Sequence, residues 1–215
     1  MNTIGYIGDS YCASKGKDSW CEILAKKLNL RITNWGQGGA SIWNSFINFE
    51  KLKKSNLLPD IIFFCWTEPT RLYHPYLPLN VNIKPFGEEN KEIFSAAEKY
   101  YKYLQNSEKD NLAFEYSIKY FDQNILSEIK DKKIIQTWSI RINKEEYPYN
   151  IKFNSGLYLD ESIAMHAWDD DPKNINHDVN LLNHMTAEQN HSWVEKILPR
   201  VKNYLKTSNI DNIAK

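Results

Sequence analysis

The chain has no excess of charge of either sign, no long apolar run and few cysteines, and each absence excludes a class of function. Its 27 basic and 27 acidic residues cancel, which removes the bulk positive field by which nucleic acids and anionic membranes are engaged. No segment approaches the ~20 consecutive apolar residues of a membrane span. The opening Met1-Asn2-Thr3-Ile4-Gly5-Tyr6-Ile7 lacks the basic region and apolar core of a secretory signal. A soluble cytoplasmic product is therefore expected, with neither nucleic acid nor membrane as partner. The three cysteines, Cys12, Cys21 and Cys65, have no metal-ligand spacing and cannot all pair, which fits a reducing compartment and small buried side chains. Cys12 is an alternative nucleophile to the serine two residues before it.

What is present reads as an α/β pattern. With 215 residues, 42% hydrophobic and 25% charged, the chain suits one soluble domain over residues 1–207 and a polar tail over 208–215. Thr3 to Ile7 is a β-branched and aromatic strand stopped by Gly8, and Ser19 to Leu28 carries apolar residues at helical spacing. Leu30 to Trp35 is a second strand, followed by a helix over Ile42 to Phe49. Asp60 to Trp66 is an almost unbroken apolar run, the pattern of a parallel strand covered on both faces. Helices are expected over Lys91 to Gln105 and Leu112 to Ile129, and a fourth strand over Lys133 to Trp138. Tyr73 to Asn90, with Pro75, Pro78 and Pro85, is too proline-rich for regular structure. The last helix spans Thr186 to Leu205, with Pro199 as a kink or interruption. Strands alternating with helices predict a doubly wound parallel sheet.

In such sheets ligands gather beyond the carboxyl ends of the strands, and three turns there carry chemistry. Gly8-Asp9-Ser10 follows the first strand; taken alone it reads first as a turn or helix cap, where serine and aspartate are favoured anyway. Gly36-Gln37-Gly38-Gly39-Ala40-Ser41 follows the second and exposes backbone N–H groups suited either to a sharp reversal or to an oxyanion. Thr67-Glu68 puts a hydroxyl and a carboxylate at the mouth of the third. Near the other end, Asn183-His184-Met185-Thr186 leads into the last helix, with Thr186 and Gln189 as a capping box. A serine nucleophile needs a base to take its proton. Of the five histidines, His184 is the best placed, with His166, His177 and His191 competing.

Gly8-Asp9-Ser10, Asn34-Trp35-Gly36-Gln37-Gly38-Gly39, an apolar third strand with a polar turn, and a histidine before the last helix resemble, in order, the blocks of the SGNH or GDSL-type hydrolases. The resemblance implies a flavodoxin-like three-layer α/β/α sandwich with a central parallel sheet, and neither metal nor organic cofactor. It implies a serine esterase or O-deacetylase that takes a small ester or an acetylated carbohydrate through an acyl-serine. Ser10 would be the nucleophile, the N–H groups of Ser10 and Gly39 would bind the oxyanion, and His184 would be general base and then acid. A degenerate domain that binds a glycan or a protein is the alternative, and transfer to an acceptor other than water uses the same residues.

The chain departs from the family pattern twice. Cys65-Trp66-Thr67-Glu68 stands where Gly-x-Asn-Asp is usual, so Thr67 replaces an asparagine donor; loss of such a donor costs about 2.7–4 kcal/mol in other hydrolases. Either Thr67 itself serves at the oxyanion, another group moves in, or the activity is weak. Leu181 stands where an aspartate usually precedes the histidine by three residues. Asp178 is the nearest upstream carboxylate and the first choice to orient His184, with Asp169, Asp170, Asp171, Asn183 and a backbone carbonyl as alternatives. Glu68 is a further acid partner or a substrate-binding carboxylate. Trp35, Trp43, Trp66, Trp138 and Trp168, near strand ends and loops, are sugar platforms or, more commonly, core and pocket walls. Arg71 either binds an anionic group or pairs with Glu68.

Overall fold

A computed structural model describes residues 2–80, 87–140, 151–169 and 185–207, with only the backbone of 168 and 169. Five strands, β1 (Thr3–Gly8), β2 (Arg31–Asn34), β3 (Ile61–Trp66), β4 (Lys133–Trp138) and β5 (Leu157–Ser162), form one sheet in the order β2-β1-β3-β4-β5. Every pairing is parallel, so each connection must cross a face of the sheet. The result is a flavodoxin-like three-layer α/β/α sandwich, as the alternating pattern predicts.

Alternation along the strands feeds two cores. Ile4 and Tyr6 of β1, with Ile61, Phe63 and Cys65 of β3, pack against α1 (Trp20–Lys27), α5 (Ile163–Asp169) and α6 (Ala187–Thr207). Ile7, Ile62, Phe64 and Trp66 face the other way, toward α2 (Ile42–Lys54) and α4 (Ser107–Tyr120). All six residues of β3 are buried, at about 1.5–3 kcal/mol for each large apolar side chain. Trp66 and Trp138 have no exposed surface and belong to the core; Trp35 is partly buried against it. At the amino ends β1 and β3 are joined by a reciprocal clip. The Thr3 N–H and hydroxyl donate to Asp60 Oδ2 at 2.8 and 2.9 Å, and the Asp60 N–H donates to Thr3 Oγ1 at 2.9 Å.

Several elements differ from expectation. β5 and α5 were not foreseen; Asp160 and Glu161 make β5 look polar, and they pair with Arg200 and Lys196 of α6 at 2.8 and 2.7 Å. The helix expected from Leu112 begins at Ser107, where Asn106 Oδ1 accepts from the Lys109 N–H at 2.8 Å. It gives way at Phe121 to a π-turn over Phe121–Ile125. There the buried Asp122 accepts from Gln136 Nε2 and from the N–H groups of Asn154 and Ser155, and this pull accounts for the wider turn. The expected interruption at Pro199 is not found, since α6 runs through it. α3 (Lys91–Tyr103) ends two residues before the expected Gln105. Of the irregular segment expected over Tyr73 to Asn90, residues 73–80 form a strap closed by a bridge between Leu72 and Leu79. Phe94 and Ala97 of α3 pack on it, and the Tyr101 hydroxyl lies 2.9 and 3.0 Å from the carbonyl oxygens of Thr70 and Leu79. The polar tail 208–215 lies outside the described residues.

Candidate functional site

The strand order reverses direction between β1 and β3, and a crevice opens beyond their carboxyl ends. Ser10 stands there, on a 3-10 turn over Ser10–Cys12 that follows β1 directly. Asp9 builds the turn: its Oδ1 accepts from the Tyr11 N–H at 3.1 Å, and its carbonyl accepts from the Cys12 N–H at 3.2 Å. Among the described residues the Ser10 N–H and hydroxyl have no hydrogen-bond partner, and neither does the Gly39 N–H. Cys12 points inward; it is fully buried, with Sγ 3.5 Å from the Asp9 carbonyl oxygen. That placement argues against Cys12 as a nucleophile. Burial also pushes the thiols of Cys21 and Cys65 well above their usual range.

The second turn is stapled onto the first. The Gly36 N–H donates to the Cys12 carbonyl at 3.0 Å and the Gln37 N–H to the Gly8 carbonyl at 2.9 Å. Asn34 Nδ2 donates to the Tyr6 carbonyl at 2.7 Å, extending the pairing of β2 by a side chain. Such closeness requires glycine at 36, where a β-carbon would lie 2.6 Å from the Asp9 carbonyl oxygen. Gly39 has φ +68° and faces Pro78 of the strap, which leaves no room for a β-carbon. The strap is held in turn by Asn44 Nδ2, donating to the His74 carbonyl at 2.9 Å, and Gln37 Nε2, donating to the Pro75 carbonyl at 3.1 Å.

The third turn joins the other two through a polar network. Thr67 is buried and its hydroxyl donates to Asp9 Oδ2 at 3.0 Å. Arg71 Nε donates to Glu68 Oε1 at 2.9 Å; its Nη1 lies 3.5 Å from Asp9 Oδ2 and donates to the Ala40 carbonyl at 3.4 Å. Burial opposes the guanidinium charge, yet Asp9 and Glu68 outweigh it and raise the Arg71 pKa above its ordinary value. Sequence spacing showed the Glu68 pair; the second partner, Asp9, lies 62 residues back and only the fold brings it near.

Ser10 opens onto a cleft of about 600 Å³ between its own turn, the start of α1 and the start of α6, lined also by Tyr11, Trp20, Met185 and Thr186. Thr186 and Gln189 form the expected capping box, at 2.9 and 3.2 Å, and Asn190 Oδ1 accepts from the Trp20 N–H at 2.8 Å. His184, Asp178, His177, Asp170, Asp171, Leu181 and Asn183 lie outside the described residues, as do the side chains of Trp168 and Asp169. Met185, the neighbour of His184 in sequence, lines the cleft that holds Ser10. His166 is buried against Trp193 with ring centroids 5.4 Å apart. His74 Nδ1 accepts from the N–H groups of Tyr76 and Leu77 at 3.2 and 2.9 Å and so shapes the strap. His191 is exposed on α6. Trp43 is half exposed and lines a separate apolar cleft with Phe46, Tyr116 and Tyr120. Among the described residues no group of three or more His, Cys, Asp or Glu is placed to hold a metal ion, and no helix is long and apolar enough to cross a membrane.

No protein-family model and no curated protein matches the chain. Among solved structures it is similar to the psychrotrophic esterase EstA from Pseudoalteromonas sp., crystallised as a form inhibited by monoethylphosphonate. The TM-score is 0.53 at 11% identity, over 96% of this chain and 100% of that one. At that identity the similarity is one of fold.

Proposed function

We propose that the chain is a serine hydrolase of SGNH type that cleaves a small ester, such as an O-acetyl group on a carbohydrate. The observation that carries this reading is the pair of backbone N–H groups, Ser10 and Gly39, that have no partner among the described residues and sit on two stapled turns at the switch point of the sheet. Ser10 Oγ attacks the ester carbonyl carbon while His184 takes its proton. The negative oxygen of the tetrahedral intermediate receives hydrogen bonds from Ser10 and Gly39. The alcohol departs with the proton held by His184 and leaves an acyl-serine. Water, deprotonated by the same imidazole, then attacks that carbonyl and releases the acid and free Ser10. Asp178 is assigned to orient His184, and Glu68 to hold Arg71 rather than to take a proton. The reaction as written uses no metal or organic cofactor, and the protein acts in the cytoplasm on small molecules.

A binding domain on the same scaffold is the second reading, favoured by Thr67: its single proton is directed at Asp9 and leaves the asparagine's oxyanion bond unreplaced. Hydrolysis of p-nitrophenyl esters from acetate to octanoate decides between the two. The wild type should turn over, Ser10→Ala and His184→Ala should fall to background while folded, and a fluorophosphonate probe should label Ser10. Inactivity of all three proteins with Ser10 unlabelled would favour the binding domain.

A further inference from the structure

If the asparagine donor is replaced by a threonine engaged elsewhere, the oxyanion depends on two N–H groups that sit on different turns. Their value depends on spacing, because preorganised donors act at about 2.7–3.1 Å from the developing charge. A misplacement of about 1 Å costs on the order of 100-fold in rate. The staples from Gly36 and Gln37 fix the beginning of the second turn, and the Ala40 N–H closes the turn on the Gln37 carbonyl at 3.1 Å without bonding it to the Ser10 turn. Gly39 lies beyond them, and Ala40, immediately after it, is gripped by Arg71.

We propose that Arg71 is the positioning residue of the oxyanion site, setting the distance between the Ser10 turn and the Gly39 turn. This rests on the hydrolase reading above. One nitrogen, Nη1, faces both turns: Asp9 Oδ2, one residue before Ser10, at 3.5 Å and the Ala40 carbonyl, one residue after Gly39, at 3.4 Å. The guanidinium is a rigid plane, and Glu68 fixes its rotation through Nε at 2.9 Å. The side chain is only 7% exposed, so neighbours leave it little freedom to swing. Two carboxylates offset its charge, which argues against Arg71 as a receptor for an anionic substrate. Thr67 completes the device by holding Asp9 Oδ2 from the third turn. The segment Thr67-Glu68-Pro69-Thr70-Arg71 thus acts on the donors through the turns that carry them, where an asparagine would touch the substrate itself.

Arg71→Lys keeps the charge but not the fork, and it separates geometry from folding. Its kcat for p-nitrophenyl acetate should fall about 30-fold, with KM within twofold of wild type, because the loss is confined to the transition state. The rate of Ser10 phosphonylation should fall in parallel, while the thermal midpoint moves by only a few degrees. Glu68→Ala, at a partly exposed carboxylate, should lower kcat about fivefold with KM unchanged, since it removes only the rotational restraint. If Arg71→Lys fails to fold, Glu68→Ala carries the test alone. Retention of wild-type kcat by the folded variants, or an equal fall in affinity and rate, would overturn the assignment to Arg71 and leave the Ser10 reading standing. A wild type that neither turns over ester nor reacts at Ser10 would remove the hydrolase reading, and the role of Arg71 with it.

Discussion

Among the described residues two aspartates are withdrawn from solvent almost completely, Asp9 and Asp122, at 0% and 1% exposure, and they are satisfied in different ways. Asp9 receives a backbone N–H from its own turn, a hydroxyl from the third turn and a guanidinium that also reaches the second. The Asp122 carboxylate receives amides alone: Gln136 Nε2 at 2.8 Å and the Ser155 N–H at 3.2 Å on Oδ1, and the Asn154 N–H at 2.7 Å on Oδ2. Among the described residues Asp122 has no ion-pair partner. The comparison separates two uses of a buried charge. Around Asp9 the charge brings together loops that meet at one point beyond the sheet. Around Asp122 it fixes the path of the segment leading into β5, with Trp66 Nε1 tied in through Gln136 Oε1 at 3.0 Å.

Removing each carboxylate should therefore damage different things. Asp122→Ala unpairs the buried Ser155 N–H, one of the two hydrogens of Gln136 Nε2 and the part-buried Asn154 N–H, at about 1–3 kcal/mol for a buried donor left without a partner. It should lower unfolding free energy by roughly 4 kcal/mol in urea titration, with kcat of the folded fraction close to wild type. Asp9→Asn keeps the shape but leaves Arg71 without its buried partner. It should reduce ester turnover about 100-fold for a stability loss of about 3 kcal/mol, the remaining Glu68 pair keeping it at the low end for a broken buried ion pair. A pair of variants with the same ratio of activity loss to stability loss would erase the contrast. The smallest effect belongs to Thr67→Val, at about 1 kcal/mol of stability and less than about tenfold in kcat. A fall of about 100-fold or more there would instead make Thr67 a direct oxyanion donor.

The elements legible in the sequence were those whose signal is local. β3 showed itself as an apolar run, α6 as a period-3.6 stripe closed by a Thr186–Gln189 box, and the Ser10 and Gly39 turns as short glycine-containing blocks. β5 was hidden because its charges are neutralised from α6, some forty residues later. Asp122 was hidden because an aspartate within a polar helical stretch reads as solvent-facing, and its partners come from β4 and the approach to β5. Trp66 and Trp138 lie at strand ends as expected, but on the carboxyl end of a sheet covered by α4 that position is core. Arg71 shows the same limit on a smaller scale. A pair three residues apart is visible on a page, whereas a pair 62 apart exists only after β1 and β3 have aligned.

That alignment has a weak point which the Thr3–Asp60 clip answers. Every residue of β3 is apolar and buried on both faces, so a slip of one position would exchange Phe63 for Phe64 with little hydrophobic penalty. Burial alone does not index such a strand. A slip would nevertheless move Ser10 by about 3.3 Å relative to Thr67, beyond the reach of any hydrogen bond between the turns. The three bonds of the clip cannot survive that shift. They act as a dowel at one end of the sheet that sets the alignment of the site at the other, roughly 17 Å away.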